Sequence, residues 1–331
     1  MNLLSSFVDL PSYMLIAAGF YVAYRILNFP DLTVDASWVA GTVGAACGAL
    51  YFKSSGLGIV FAVLLSGLAG VATALIYLAN PRPAYKLLAG VLVVLIYFSL
   101  DFHLLGEKLN VHFSQQPTSI KALLDFQDEH GLHSSQPFTI LLGLALVSLQ
   151  FAGCYWLFHT RFGLKLRTIG TRPHIIATRS RELAPTLIVG LVLSNVIVGV
   201  GGWLFAVCNG WSDITIFGII ISALTSVIIG EMILACVPKL KDSRISLKVV
   251  LATPLIGACV YHLLRQLINW AMIGLSRDSA SQAVSVNHQD QTALLAGLLI
   301  AIVMAAKLIN SSFRISMVPD QSTIEPDEDA I

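Results

Sequence analysis

Along most of the chain apolar residues come in long unbroken runs, separated by short polar stretches. Neither the alternation of a half-buried strand nor the striped spacing of a surface helix prevails. Runs of about 20 apolar residues are the mark of membrane spans, and these predict about nine of them. They lie at 10–28, 34–52, 57–79, 86–105, 137–159, 185–208, 214–236, 249–275 and 292–310. The expected fold class is therefore all-α, a polytopic transmembrane helical bundle over residues 1–318. A tail from Pro319 carries Glu325, Asp327, Glu328 and Asp329 and is expected to be disordered over 319–331.

The longest polar, basic stretch separates the fifth and sixth runs. Over 160–184 it carries Arg161, Lys165, Arg167, Arg172, Arg179 and Arg181 against one acid, Glu182. Loops rich in Lys and Arg stay on the cytoplasmic side. Placing 160–184 inside also puts Arg82, Lys86, Lys239, Lys241, Arg244, Lys248, Lys307 and Arg314 inside, and leaves the mixed-charge segments 106–136 and 276–291 outside. The N-terminus is then external. A bare connector needs no such length, with helical spacing around a Gly and a Pro, so the segment reads as a docking surface for a cytoplasmic partner.

Composition agrees: 56% of residues are hydrophobic, only 12% are charged, and mean hydropathy is +0.78. Ordinary soluble domains carry about a quarter charged residues, so this class is excluded. No early basic region leads to a small-residue cleavage site, and Met1 is expected to begin the mature chain. Cys47, Cys154, Cys208, Cys236 and Cys259 lie in or beside apolar runs without CxxC spacing. They read as small buried hydrophobes. Small residues recur four apart in the second span, as Ala40, Gly44, Gly48 and as Gly41, Ala45, Ala49. Such rows, and Gly199, Gly201 and Gly202 in the sixth span, allow close helix packing.

One internal echo bears on function. Asn28-Phe-Pro-Asp31-Leu-Thr33-Val follows the first span, and Asn209-Gly-Trp-Ser-Asp213-Ile-Thr215-Ile follows the sixth. With nine spans the two elements point in opposite directions across the membrane. An inverted internal repeat with interrupted helices points to a transport pathway. Candidate pathway residues are Asp31, Thr33, Asp35, Ser37, Asn195, Asp213 and Thr215. Asp35 either faces a water-filled cavity or caps its helix with Asp31. Asn195 either bonds a neighbouring helix or meets substrate. Glu231 reads as interfacial, and Arg25 as snorkelling. Arg265, with His262, Gln266 and Asn269, forms a polar stripe, paired inside the bundle or serving anions.

His103, His112, His130 and His133 gather around the outer segment, but no second spaced pair completes a metal site, and none is expected. No phosphate-binding loop occurs and no catalytic arrangement stands out, so no catalytic residue is assigned. An ATP-driven activity would need a partner chain.

From about Leu27 to Ala305 the chain resembles a permease subunit of an ATP-binding-cassette importer, of the branched-chain amino acid, ribose and nucleoside superfamily. It most resembles permeases encoded with substrate-binding proteins of the tryptophan or tyrosine type. The resemblance rests on Phe29-Pro-Asp-Leu-Thr-Val-Asp-Ala-Ser37 with Gly41, Lys86-Leu-Leu-Ala-Gly90 with Tyr97, and Thr160-Arg-Phe-Gly-Leu-Lys-Leu-Arg-Thr-Ile-Gly170. Leu193-Ser-Asn195, Val227-Ile-Ile-Gly-Glu231 and Pro254-Leu-Ile-Gly257 with Tyr261 and Arg265 complete it.

The resemblance implies a multi-pass protein of the bacterial inner (cytoplasmic) membrane that is no enzyme itself. Its partners would be an ATPase subunit carrying ATP and Mg, an extracytoplasmic binding protein, a second permease copy and the bilayer, with no nucleic acid. It places ATPase coupling at Arg167, Gly170, Arg172, Pro173 and His174, and the path along Leu32–Gly41 and the segment after Asp213. Where the family has Gly-Asp-Asn-Pro this chain has Gly170-Thr-Arg-Pro173; Arg181-Glu182 replaces a Gly-Ile, and Asp290-Gln-Thr lacks the usual Lys. The expected function is translocation of a small solute, an amino acid and by the resemblance an aromatic one. An ion-coupled secondary transporter is the alternative, and a scaffold or receptor a third reading.

Overall fold

Where the apolar runs are long, the chain forms helices, and the described residues of the structure, a computed structural model, are 7–114, 136–171, 180–216, 218–235, 247–278 and 297. Helix α1 (Leu10–Tyr21) widens into a π-helical turn over Val22–Ile26 and stops. After a break come α2 (Val34–Phe52), α3 (Ser55–Ala79) and α4 (Pro83–Leu104). A short strand β1 (Asn110–His112) follows, then α5 (Gln136–His159), α6 (Arg161–Thr171) and α7 (Ser180–Asn209). Strand β2 (Trp211–Asp213), α8 (Ile219–Ala235) and α9 (Leu247–Asp278) complete the order. These elements fall in the unit Met1–Val286; of the second unit, Asn287–Ile331, only Gly297 is described.

Among the described residues, five helices are long and apolar enough to cross a membrane: Ser55–Ala79, Pro83–Leu104, Ile140–His159, Ala184–Asn209 and Leu247–Ile268. They answer to five of the expected spans. The expected spans 10–28, 34–52 and 214–236 differ from this pattern. The first ends in the π-helical turn, because Asn28 turns left-handed at φ 53° ahead of Pro30. The second is a 19-residue helix that is not among the five, carrying Asp35, Ser37, Thr42, Gly41, Gly44 and Gly48 among its apolar residues. The third starts with the turn at Ile214 and Thr215, and its helix begins only at Ile219, after Gly218 at φ 91°. The expected span 292–310 and the tail 319–331 lie outside the described residues.

Burial sorts the helices into inner and outer sets. From Ala36 to Ala49 every residue of α2 is buried, and so is nearly all of α1. The outer helices do the reverse: Leu87, Leu88 and Leu95 of α4, and Leu141, Leu149 and Trp156 of α5, are exposed. Large apolar side chains outside and small ones inside are what a bilayer solvent favours, since tight backbone contact, and not the hydrophobic effect, holds the interior.

The two rows of small residues on α2 serve two neighbours. Gly44 and Gly48 lie against Ala62 and Gly58 of α3, whereas Gly41 lies against the backbone of Gly199 on α7. One turn away, Gly202 of α7 rests on the Trp38 carbonyl. On its other side α7 meets α1, where Ser194 Oγ donates to the Gly19 carbonyl at 2.7 Å. Strands β1 and β2 pair antiparallel, with Val111 opposite Ser212, at the end where Asn209 Nδ2 donates to Asp9 Oδ1 at 2.9 Å. Arg25, Lys86 and α6 gather at the other end.

A side chain at Gly41 has no room beside the backbone of Gly199, and one at Gly199 has none beside the Ser66 side chain of α3. Gly41→Val and Gly199→Val are each expected to cost about 1–3 kcal/mol through overpacking. Gly153→Val on α5, where nothing lies within 4 Å of an added Cβ, is expected to leave the detergent-solubilised protein's unfolding temperature unchanged. Thermal unfolding of the three variants checks this.

Candidate functional site

A helix that stops inside a bundle leaves carbonyls and amides without backbone partners, and hydrocarbon offers none. The break over residues 27–33 answers this with side chains. Leu27 N donates to Val22 O at 3.1 Å and Phe29 N to Ala23 O at 2.9 Å, closing the π-helical turn. Lys86 Nζ, from the first turn of α4, donates to the Asn28 carbonyl at 2.8 Å. Its ammonium also lies 5.7 Å from the Phe29 ring centre and 5.9 Å from that of Tyr77. Asp31 Oδ1 then accepts from Thr33 N at 2.9 Å, an Asx-type turn that leads into α2.

Around this turn a fully buried polar cluster joins α2, α3 and α7. Asn195 Nδ2 donates to Asp31 Oδ2 at 2.8 Å and to the Leu191 carbonyl at 2.9 Å. Ser37 Oγ donates to Asn195 Oδ1 at 2.5 Å. Thr33 Oγ1 lies 2.6 Å from Thr73 Oγ1, whose own proton goes to the Ala69 carbonyl at 3.0 Å, so Thr33 is the donor to Thr73. Asp31, Thr33, Ser37, Thr73 and Asn195 are all buried. Four of the expected pathway residues, Asp31, Thr33, Ser37 and Asn195, therefore meet at one place. Of the two uses left open for Asn195, the structure shows the interhelical bond.

Asp35 is elsewhere. It neither caps its own helix nor stands unpaired: Oδ1 accepts from Ile220 N at 2.8 Å and Oδ2 from Gly218 N at 3.2 Å. It thus caps α8, a helix whose first amides would otherwise be unsatisfied, and its charge suits the positive end of that helix.

The second motif copies part of the first. Asp213 Oδ1 accepts from Thr215 N at 2.7 Å and Thr215 Oγ1 at 2.6 Å, matching the Asp31–Thr33 turn. Gly210, three residues before Asp213, has φ 73°, as Asn28 before Asp31 has φ 53°. Asp213 and Thr215 are not part of the buried cluster. Asp213 Oδ2 instead accepts from Asn110 Nδ2 at 3.3 Å across the small sheet.

Helix α6 takes up the first part of the basic segment. Leu166, Ile169 and Gly170 are buried while Arg161, Leu164, Lys165 and Thr168 are exposed. Arg167 is half-buried, its guanidinium 5.8 Å from the Phe158 ring centre. Gly170 packs directly on the Ile26 carbonyl at the end of α1. Arg172, Pro173 and His174 lie outside the described residues.

Other polar groups pair between helices. Arg25 Nε lies 3.1 Å from Glu231 Oε1, so the residues expected to snorkel and to sit at the interface form one ion pair. Arg265 donates to the Tyr13 hydroxyl and Gln266 Nε2 lies 3.4 Å from His262 Nε2, so these three residues of the stripe on α9 are paired; beside them Ser222 Oγ lies 2.7 Å from the Tyr261 hydroxyl. Among the described residues no group of three or more His, Cys, Asp or Glu could hold a metal, and His130 and His133 lie outside them. Sequence reading missed Thr73 and Lys86 as partners of the break. Thr73 interrupts an apolar run, but nothing in the sequence pairs it with Thr33. It also missed Asp101 on α4, buried with neither carboxylate oxygen hydrogen-bonded among the described residues.

Two substitutions separate these roles. Asp35→Ala strips the cap of α8 and is expected to cost about 1–2 kcal/mol, whereas Asp35→Asn keeps an acceptor and most of the stability. Asn195→Leu leaves buried Asp31 and Ser37 without their partner, for about 1–3 kcal/mol. Denaturation in mild detergent reads both.

The pattern of a family described as "Branched-chain amino acid transport system / permease component" matches residues 2–306. The chain is 26% identical over 230 residues to a tyrosine transport system permease protein of Clostridioides difficile (strain R20291), covering 69% of this chain and 72% of that one. An uncharacterized protein of Rickettsia prowazekii (strain Madrid E) is 25% identical over 240 residues, 70% of this chain and 78% of its own. A nucleoside ABC transporter permease of Lactococcus lactis subsp. cremoris (strain MG1363) is 34% identical over 95 residues, 28% of this chain and 30% of its own. No solved structure shows a significant match. Broken helices with side-chain-satisfied backbone, an amphipathic helix at the basic end and a family match over most of the length agree: the chain is a multi-pass membrane protein and belongs to the branched-chain amino acid transport system permease family.

Proposed function

We propose that the chain is the membrane-spanning subunit of an ATP-binding-cassette importer in a bacterial cytoplasmic membrane, working as two copies. A separate ATPase subunit carries ATP and Mg, and a binding protein delivers a small solute from outside. An aromatic amino acid is the proposed solute, supported by the named function of the Clostridioides difficile relative. The observation that carries the reading is the two-sided character of α6. Its apolar side packs on the transmembrane helices through Leu166, Ile169 and Gly170, while Arg161 and Lys165 stay exposed for a partner.

The docking surface continues in this reading through Arg167 into Arg172, Pro173 and His174. The path is lined by Asp31, Thr33, Asp35, Ser37, Asn195, Asp213 and Thr215, on two inverted halves that open alternately. Support for such halves comes from the packing of α2 with α3 and of α8 with α9, together with the matching Asp-x-Thr turns. Asp31, Ser37 and Asn195 bond one another here, so opening the path exchanges these bonds for bonds to water or solute.

Gentle-detergent purification of the tagged chain from its own cells tests the class. A stoichiometric partner with a phosphate-loop ATPase sequence is the expected result. The charge reversal Arg161→Glu with Lys165→Glu is expected to release that partner. A chain that purifies alone and moves solute under an ion gradient overturns the importer in favour of a secondary transporter.

A further inference from the structure

The break at 26–33 is held from four directions, and one of them is α6. Gly170 sits so close to the Ile26 carbonyl that no side chain fits between them. Leu166, one turn earlier, reaches the position where Leu27 and Gly190 of α7 meet. From α4, Lys86 Nζ holds the Asn28 carbonyl, and Gly90 packs against Leu32. From α7, Asn195 holds Asp31, and from α3, Thr73 holds Thr33. The contact of α6 on Ile26, the last residue of the π-helical turn, and the polar cluster on Asp31 are thus five residues apart along the break.

A π-helical turn followed by a left-handed residue changes shape more easily than regular helix, since fewer repeating backbone bonds resist it. The flanking elements are tightly packed: α2 is buried from Ala36 to Ala49, and α7 is locked to it glycine on backbone. A displacement of α6 against this frame is therefore taken up in the stretch between Ile26 and Thr33. Its first bonds to yield are those of side chains to Asn28 and Asp31, not those of the helices.

We infer that the 26–33 break is the element through which movement of α6 reaches the buried Asp31–Asn195–Ser37 cluster, with Gly170 and Lys86 as its positioning residues. This rests on the importer reading, in which the ATPase moves α6. Gly170 sets the contact that drives the break. Lys86 holds the Asn28 carbonyl, so that the displacement is passed on to Asp31 and not lost in loosening the turn. Such an element couples the two sites because both bias the same two-state segment.

The test is hydrogen–deuterium exchange of the purified assembly of chain and ATPase, with and without trapping by ATP, Mg and vanadate. In the wild type, trapping is expected to change exchange in peptides covering Leu27–Thr33 by about five-fold, the size expected along a coupling network. Peptides of the outer helix α5 should stay unchanged. In Lys86→Met, which keeps the side chain's length but not its ammonium, the response in α6 should persist and that in Leu27–Thr33 should be lost. Lys86→Arg, still a donor, should restore it. A wild-type response confined to α6 overturns the inference and leaves the importer reading intact, as does a Lys86→Met response equal to the wild type. If no ATPase accompanies the wild-type chain, the importer reading fails and the inference with it.

Discussion

The constraint on which the rest depends is that a backbone amide or carbonyl inside a membrane bundle must find a partner within the protein. Among the described residues, regular helix gives way at the stretch after α1 and the stretch before α8. At both, side chains supply what the helix no longer does. Asp31 serves Thr33 N, Asp213 serves Thr215 N, Asp35 serves the amides of Gly218 and Ile220, and Lys86 serves the Asn28 carbonyl. Three acids that would each be costly in a span are thereby accounted for.

The same groups are suited to a second use. A carboxylate and an amide that bond each other in one conformation can bond solute or water in another. A network that satisfies every member excludes neither use, and its low-dielectric surroundings make its loss costly. The helix break is thus both a structural necessity solved by polar side chains and the place where a path is most readily opened. Asp35 is distinct, because its two bonds fasten the start of α8 to the start of α2. It ties together the two interrupted elements.

Packing around the breaks is glycine on backbone, which gives α2 and α7 few ways to yield. The inferred route of motion therefore runs through the turn at 26–33, where side chains and not regular helix hold the backbone. The outer helices carry bulky apolar side chains toward the bilayer and contribute little to the polar interior, apart from Lys86 at the foot of α4 and Asp101 near its far end.

Much of this was legible in the chain itself. Long apolar runs specify the five full-length helices, because hydrocarbon thickness sets their length. The small-residue rows on α2 announce tight packing, because periodicity is a local property. The Asp-x-Thr echo announces two similar turns, since an Asx turn is made by residues adjacent in sequence. Only the tertiary structure decided which helix each row meets, that Asn195 joins Asp31 and Ser37, that Asp35 caps a helix almost two hundred residues away, and that Gly170 rests on the end of α1. It also decided that α1, α2 and α8 depart from the simple span pattern, since a buried segment no longer has to satisfy the bilayer. These are choices of partner between segments remote in sequence, and no local pattern records which of several polar groups a buried carboxylate will find.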